Sequence, residues 1–577
     1  MKFRYDIQGI RAIAVLTVFV FHLGFLPNGY LGVDIFFVIS GFLITGILNK
    51  EFINGTYSIK EFYLRRLRRI IPLVLIVNIV ALIIGYIIML PDDYENLAQS
   101  VVATNFFSNN ILQYITTGNY WDVVNDYKPL MHTWSLGVEE QYYLLFPVIF
   151  LFLTKRKNKL FTIFTILLVL TCISLLSFIF TKNEAGAFYL LHNRFFEISV
   201  GGLAALKQQE IKSNKNVANI SLLLLFIIIF LDFGLSNQIK VVLTVALTCL
   251  LILHNTTDSL SNKFLSFKPI VFLGTISFSI YMWHQLVFAT YRYLFGLEMN
   301  FIAGVLFFVI TLILSVLSYY FVEDYFRNSK KVSTKNVLIF TISLFLITTI
   351  ASLFIYIKGG IVKDFPILNI TTQNAKRGIN SEYNDRIYKL SGNFNTSKTK
   401  VLIIGDSFGR DWGNILLESN YKNNVEVKYC FDINNTENAN KLVNDADIIF
   451  ISYLHEYAYS DYLKFINKYH PKVKVYIVGT KNFGDNSGVF YNNIKGNNYC
   501  AQRTNVQKEI IDINNRMKIK YKNSYIDIIG YMQDSNNTTV PVFTDDCKLI
   551  SQDTRHLTKS GAIYVGKQIN LQKYLEK

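Results

Sequence analysis

Apolar runs of about 20 residues recur along the first 360 positions, at 70–90, 160–180, 301–321 and 337–357. At 1.5 Å of rise per residue, each is long enough to span a hydrocarbon layer about 30 Å thick. Reading the shorter runs with them predicts eleven membrane helices, at about 9–27, 30–48, 70–90, 136–153, 160–180, 194–206, 219–235, 239–254, 269–290, 301–322 and 336–357. The first follows Lys2 and Arg4 as a signal peptide would, but no small-residue cleavage site follows it, so a retained helix is expected. Beyond residue 359 the pattern changes to a polar, Asn-rich stretch. Short β-type runs at 400–404, 447–452 and 474–478 then alternate with polar, helix-like segments. That alternation predicts an α/β domain with a parallel sheet. The expected organisation is a polytopic α-helical membrane domain over 1–330 with ten helices, an eleventh helix within 331–358, a linker over 359–397 and the α/β domain over 398–577.

Composition supports this division. Of 577 residues, 51% are apolar, too many for an ordinary soluble chain of that size. The net charge of +16 would suggest nucleic acid if it lay on one soluble face, but it falls mostly between the spans. With the N-terminus inside, the loops 49–69, 154–159, 207–218, 255–268 and 323–335 hold nineteen Lys and Arg. The opposite loops hold only Lys128, Lys182, Lys240 and Arg292. The bias of basic residues predicts a cytoplasmic N-terminus and places everything after 358 outside. The five cysteines show no metal-ligand spacing. A disulfide between Cys500 and Cys547 would require that their domain lie outside the cytoplasm.

Ionisable residues inside membrane helices are costly, so each is a functional candidate. Arg11 and His22 are eleven residues apart, close to three helical turns, which puts both on one helix face about 16 Å apart. That span matches the reach of a pantetheine arm, with the arginine on a phosphate and the histidine at the thioester; the alternative is an arginine reaching for the interface and a histidine capping a carbonyl. In the segment 29–44, Asp34 falls near a membrane surface, and Gly41 beside Ser40 reads as a close helix contact. Arg65, Arg66, Arg68 and Arg69 precede the third span, where they either set topology or clamp a phosphate. Glu139 and Glu140 stand together in an apolar stretch, so one of them should face a polar cavity. His284 reads more simply as a packed, hydrogen-bonded residue.

Arg11-x10-His22, FFVISGFL, RRLRRIIP, HTWSLGVEEQYY and SFSIYMWHQ occur in this order, and together they resemble the acyltransferase-3 family of membrane acyltransferases over roughly residues 1–330. The resemblance implies cytoplasmic acetyl-CoA as donor, with no permanently bound cofactor. The acceptor it implies is a sugar hydroxyl on an extracytoplasmic glycan. It also implies functional weight for Arg11 and His22, donor binding by the arginine cluster, and Glu139 or Glu140 in the site.

In the C-terminal part, VLIIGDSFGRDW (401–412) is an apolar strand running into Gly-Asp-Ser and then a helix. This presents Ser407 at the C-terminal edge of a parallel sheet. Far along the chain, Asp553 stands three residues before His556, a pair able to supply an oriented base for Ser407. These two motifs resemble the SGNH hydrolase and esterase family, over about 398–577, and GDSFGRDW is closer to the domains attached to O-antigen acetylases than to those of peptidoglycan acetyltransferases. The family's oxyanion glycine and asparagine have no clear match here. Gly479 and Asn482 are the candidate pair, alongside the Ser407 N–H. The expectation is therefore an O-acyltransferase of the bacterial inner membrane, with its C-terminal domain periplasmic and lipopolysaccharide O-antigen as acceptor. Peptidoglycan is the alternative acceptor, and a transporter with an inert ectodomain is the alternative of another class. No metal site and no nucleic-acid partner are expected.

Overall fold

Helices lie across the predicted spans in the computed structural model, with two separate helices over 269–290; it describes residues 4–117, 125–152, 159–361, 364, 381–433, 439–453, 459–494, 498–534 and 539–576. Lys155, Arg156 and Lys157, and most of the predicted linker, lie outside the described residues. Among the described residues seven helices are long and apolar enough to cross a membrane, and the pair Lys268–Thr275 and Ser277–Phe295, bent by 66°, makes an eighth if read as one span. The chain is thus a multi-pass membrane protein. The other predicted spans are helices of 20, 17 and 16 residues, Thr133–Phe152, Leu191–Lys207 and Lys215–Phe230.

Three boundaries differ from the sequence reading for local reasons. The first helix, Tyr5–His22, stops five residues early, ahead of Gly24 at φ +81°. The helix Lys215–Phe230 likewise stops short, before Asp232 and a left-handed Gly234. The third helix, Ile59–Ile88, starts eleven residues early because YLRRLRR lies on its first turns instead of in a loop. Two polar helices, Pro91–Asn105 and Asn109–Thr117, were not anticipated.

The chain divides into two units. One comprises Met1–Ile84, Leu97–Tyr291 and Leu297–Leu353; the other comprises Gly85–Asn96, Arg292–Gly296 and Phe354–Lys577. In the helical unit, Gly32–Ile53 packs most extensively on Leu191–Lys207. The approach is so close that a Cβ on Gly41 would lie 1.7 Å from the Ile198 carbonyl oxygen, and one on Gly201 would lie 2.0 Å from that of Val38. Asp34, expected near a membrane surface, is buried instead. It pairs with Arg194 at 2.9 Å, and Arg194 also holds Glu197 at 2.8 Å.

The second unit is built on a five-stranded parallel sheet of order β2-β1-β3-β4-β6, where β1 is Thr399–Gly405, β2 Val425–Cys430, β3 Ile448–Ser452, β4 Lys474–Val478 and β6 Tyr525–Ile526. Strands β5 (Arg503–Asn505) and β7 (Thr539–Pro541) form a separate antiparallel pair. Leu402, Ile404, Ile449, Ile451 and Ile477 fill one buried face of the main sheet. Because the chain goes from β1 to one neighbour and then crosses to the other, β1 is the strand at which connections diverge. The crevice beyond its C-terminal end is where α/β sheets place ligands. Part of the predicted linker is ordered: Ser381–Tyr388 is a helix whose Arg386 donates to Asn414 Oδ1 at 2.8 Å and pairs with Glu418. The short segments Gly85–Asn96 and Arg292–Gly296 join this unit through side-chain amides. Asn492 donates to the Ile88 and Tyr293 carbonyls, and Asn493 donates to that of Leu294. Cys500 and Cys547 are disulfide-bonded.

Candidate functional site

In the helical unit a cavity of about 150 Å³ is lined by Arg11, Ser40, Arg66, Arg69, Glu139 and Tyr143 among apolar side chains. Helical periodicity explains which arginines reach it. Arg66 and Arg69 are three apart and share one face of Ile59–Ile88. Arg65 and Arg68 fall on another. Arg65 is half exposed and pairs with Glu51 at 2.7 Å, whereas Arg68 is buried and donates to the Phe326 and Val332 carbonyls and the Thr334 hydroxyl, each at 3.0 Å. The predicted clamp of four is therefore two on the cavity wall, with Arg68 holding backbone instead. Glu139 accepts from the Ser40 hydroxyl at 2.7 Å, and Arg66 lies 5.1 Å over the Tyr143 ring. Glu140 is not on this wall among the described residues, although it is within electrostatic reach of Arg66. A further carboxylate, Glu323, accepts a hydrogen bond from Ser279 and is within electrostatic reach of Arg11 and Arg69. It closes a π-helical turn, Tyr319–Glu323, a distortion that an apolar run does not announce. Arg11, Arg66 and Arg69 meet Glu139 on the wall of a largely apolar cavity, with Glu140 and Glu323 within electrostatic reach of them, and the grouped guanidinium groups suit a phosphate-bearing amphiphile.

His22 is the last residue of its helix and is not on the wall of this cavity among the described residues. Its ring lies 5.3 Å from that of His284. The His284 ring in turn lies 5.2 Å from both His132 and Tyr281, and Tyr281 does line the cavity. The separation of Arg11 from His22 along one helix is spanned by this row of rings. His132 was not singled out from sequence, although it opens the motif HTWSLGVEE.

The second constellation belongs to the α/β unit. Ser407 is the first residue of the helix Ser407–Glu418, directly after β1, and Asp406 caps that helix by accepting the Phe408 N–H at 2.8 Å. Gly405 is required where it stands, since a Cβ there would sit 2.1 Å from the Ser452 carbonyl oxygen. The Ser407 hydroxyl is 2.9 Å from His556 Nε2, and His556 Nδ1 is hydrogen-bonded to Asp553. Asp553 Oδ1 also accepts the His556 N–H at 2.7 Å and the Arg555 N–H at 3.1 Å. Burial works against ionisation of Asp553, but the charge and hydrogen bonds of His556 outweigh it and hold its carboxyl well below the usual range. Between them, Thr554 is left-handed at φ +70°, and its carbonyl accepts the Phe483 N–H at 2.7 Å. Nucleophile, base and orienting carboxylate are thus in hydrogen-bonded sequence.

Gly479 and Asn482 lie after β4, not beside β1. The Gly479 N–H donates to the Ile526 carbonyl at 2.8 Å, and the Asn482 amide donates to that of Gly484 at 3.0 Å. These bonds hold the loop, with one of the two Asn482 amide hydrogens engaged in the bond to Gly484. Between them, Lys481 is buried with Nζ 3.0 Å from Asp411 Oδ2 and 3.6 Å over the centroid of the Phe408 ring. Asp411, one turn past Ser407, also takes the Leu557 N–H at 3.0 Å and a guanidinium bond from Arg410 at 3.1 Å. Burial opposes its charge, yet Lys481 and Arg410 keep its carboxyl below the ordinary value. Burial in turn pushes the Lys481 ammonium down, against the pull of Asp411.

A model of the acyltransferase domain matches residues 4–320. The O-acetyltransferase OatA of Staphylococcus aureus strain NCTC 8325 / PS 47 is 29% identical over 348 residues, 56% of this chain and 57% of that protein. OatA of strain COL matches to the same extent, 29% over 348 residues. The matched part therefore spans a little under three fifths of these relatives. No solved structure matches the chain.

Proposed function

We propose, from the premise that this chain belongs to the acyltransferase family matched over residues 4–320, that it is a membrane O-acetyltransferase of a cell-envelope polysaccharide. Acetyl-CoA from the cytoplasm is the donor. Its phosphates engage Arg11, Arg66 and Arg69, and His22 assists acyl transfer through the ring row that ends at Tyr281. The C-terminal domain is extracytoplasmic, an orientation supported by the basic loops and by the Cys500–Cys547 disulfide.

The observation that carries the second step is the Ser407–His556–Asp553 relay. Ser407 Oγ attacks the acetyl carbonyl while His556 Nε2 takes its proton; His556 then gives that proton to the departing carrier, which leaves Ser407 as an acetyl ester. His556 then removes the proton of a sugar hydroxyl, which attacks the ester, and Ser407 leaves with that proton. Asp553 fixes the tautomer and balances the imidazolium. Both relatives are O-acetyltransferases, which supports the acyl group and the bond type.

The acceptor is lipopolysaccharide O-antigen on the likeness of GDSFGRDW. Peptidoglycan is the second reading of the acceptor. Mass spectrometry of muropeptides and of lipid-linked polysaccharide, from cells with the wild-type gene and with Ser407→Ala, separates the two. Acetyl loss confined to one polymer identifies the acceptor. Unchanged acetylation of both in Ser407→Ala cells removes the serine step.

A further inference from the structure

The relay accounts for Ser407, His556 and Asp553, but not for the buried ion cluster beside them. Asp411 projects from the Ser407 helix, four residues on, and its Oδ2 holds two groups: the backbone N–H of Leu557, next to His556, and the ammonium of Lys481. Asp411 and Lys481 are almost wholly enclosed, at 1% and 2% side-chain exposure, whereas Arg410 is at 9%. Lys481 is also in face contact with Phe408, whose ring in turn lies 6.2 Å from that of His556. A buried pair of this kind adds little stability over an apolar replacement, but losing one partner leaves the other charged and unpaired.

We infer that Asp411 and Lys481 are positioning residues for the acyl-transfer chemistry: the pair locks the His556 loop to the Ser407 helix, and the ammonium neutralises a second carboxylate that would otherwise act on the imidazolium together with Asp553. The inference rests on the reading of Ser407 as nucleophile. The charged groups around His556 are Asp553 and the adjacent Arg555 on its own loop, Asp411 on the Ser407 helix with its partners Arg410 and Lys481, and Asp92 and Asp93 of the segment Gly85–Asn96, which act through Asp553. Of these, Asp411 acts on the imidazole by charge and Lys481 acts through Asp411, and neither makes the ring's hydrogen bonds to Ser407 and Asp553.

The test uses the full chain in lipid nanodiscs, with p-nitrophenyl acetate as probe and folding checked by thermal unfolding. Lys481→Met exposes the imidazole to an unneutralised carboxylate, so the acidic limb of the kcat profile should move up by about one pH unit. Asp411→Asn leaves a buried cation, and the limb should move down by a similar amount. In each, kcat should fall about tenfold or more with KM within about twofold, and Asp411→Asn/Lys481→Met should return the limb to within a few tenths of a unit of wild type. Should either single variant fail to fold, Lys481→Arg and Asp411→Glu, which keep the charges, should keep the wild-type profile. Equal losses in both single variants with no opposed shift would overturn the inference and leave a purely structural pair. Ser407→Ala separates the premise: if it retains hydrolysis, the nucleophile assignment fails; if it is inactive while the charge variants behave as wild type, only the inference fails.

Discussion

Replacing Gly41 by alanine tests how closely helix packing governs the arginine-lined cavity. The added methyl would sit 1.7 Å from the Ile198 carbonyl oxygen and 2.6 Å from its carbon, both backbone atoms that no side-chain rotation can clear. Since a comfortable C···O contact is about 3.3 Å, Gly32–Ile53 and Leu191–Lys207 must part by about 1.6 Å. Overpacking of this kind costs about 1–3 kcal/mol, and the upper end applies where backbone must move. For a unit of this size, the upper end corresponds to a fall of about 4 °C in Tm. Ser40 is the residue before Gly41, and its 2.7 Å hydrogen bond to Glu139 would stretch beyond hydrogen-bonding range. Envelope acetylation should therefore drop even at temperatures where the variant is folded. The assay pairs thermal unfolding in nanodiscs with acetyl quantification on cell envelopes, using Gly304→Ala as control because its methyl meets only the mobile end of Leu23 at 3.2 Å. A Tm within about 2 °C of wild type for Gly41→Ala, with full acetylation, would refute the packing argument.

The arginines should separate by function. Arg66→Gln should raise KM for acetyl-CoA about tenfold or more, the loss of one charge-assisted contact. Arg68→Met should instead lower folded abundance and leave KM unchanged, because Arg68 serves backbone carbonyls. Replacing Cys500 and Cys547 by serine should cost about 4 kcal/mol for a closed loop of this length, read as a lower Tm without reductant and no difference with it. Asp92, which accepts a hydrogen bond from Gln552, has its carboxyl pushed up to about 7 by burial and then by Asp553. The folded state therefore holds a proton that the unfolded chain releases near pH 4, so stability should fall as pH rises from about 4 to about 7 and level off above. Asp92→Asn should flatten that slope, as followed by Tm across the pH range.

What the sequence made legible follows from how far each signal reaches along the chain. Apolar runs and short β-type runs are local, so the spans could be located and strands β1, β3 and β4 placed within a few residues, while helix ends set by glycines and by the YLRRLRR turns could not. Strand β2 was missed because VEVKYC alternates polar and apolar on a half-buried strand. Ser407 and the Asp553–His556 pair were readable because each carries its own motif, although 149 residues separate serine and histidine. The arginine cluster was readable as a cluster but not as two pairs, since that division depends on the helix starting at Ile59. Glu323, Asp411 and Lys481 were not found. Each is a single charge whose partners lie on other elements, and no spacing announces them. Lys481 directly ahead of Asn482, at the end of an apolar strand, was the nearest signal.

The most direct test of the account is the fate of the acetyl group. Full-length protein in proteoliposomes, given acetyl-CoA labelled in its acetyl group on the cytoplasmic face and no glycan acceptor, should carry label on the peptide containing Ser407. Arg11→Ala should abolish that label, and an added envelope glycan should discharge it. Label passing to glycan with none ever detectable on Ser407, and at an unchanged rate in Ser407→Ala, would contradict it.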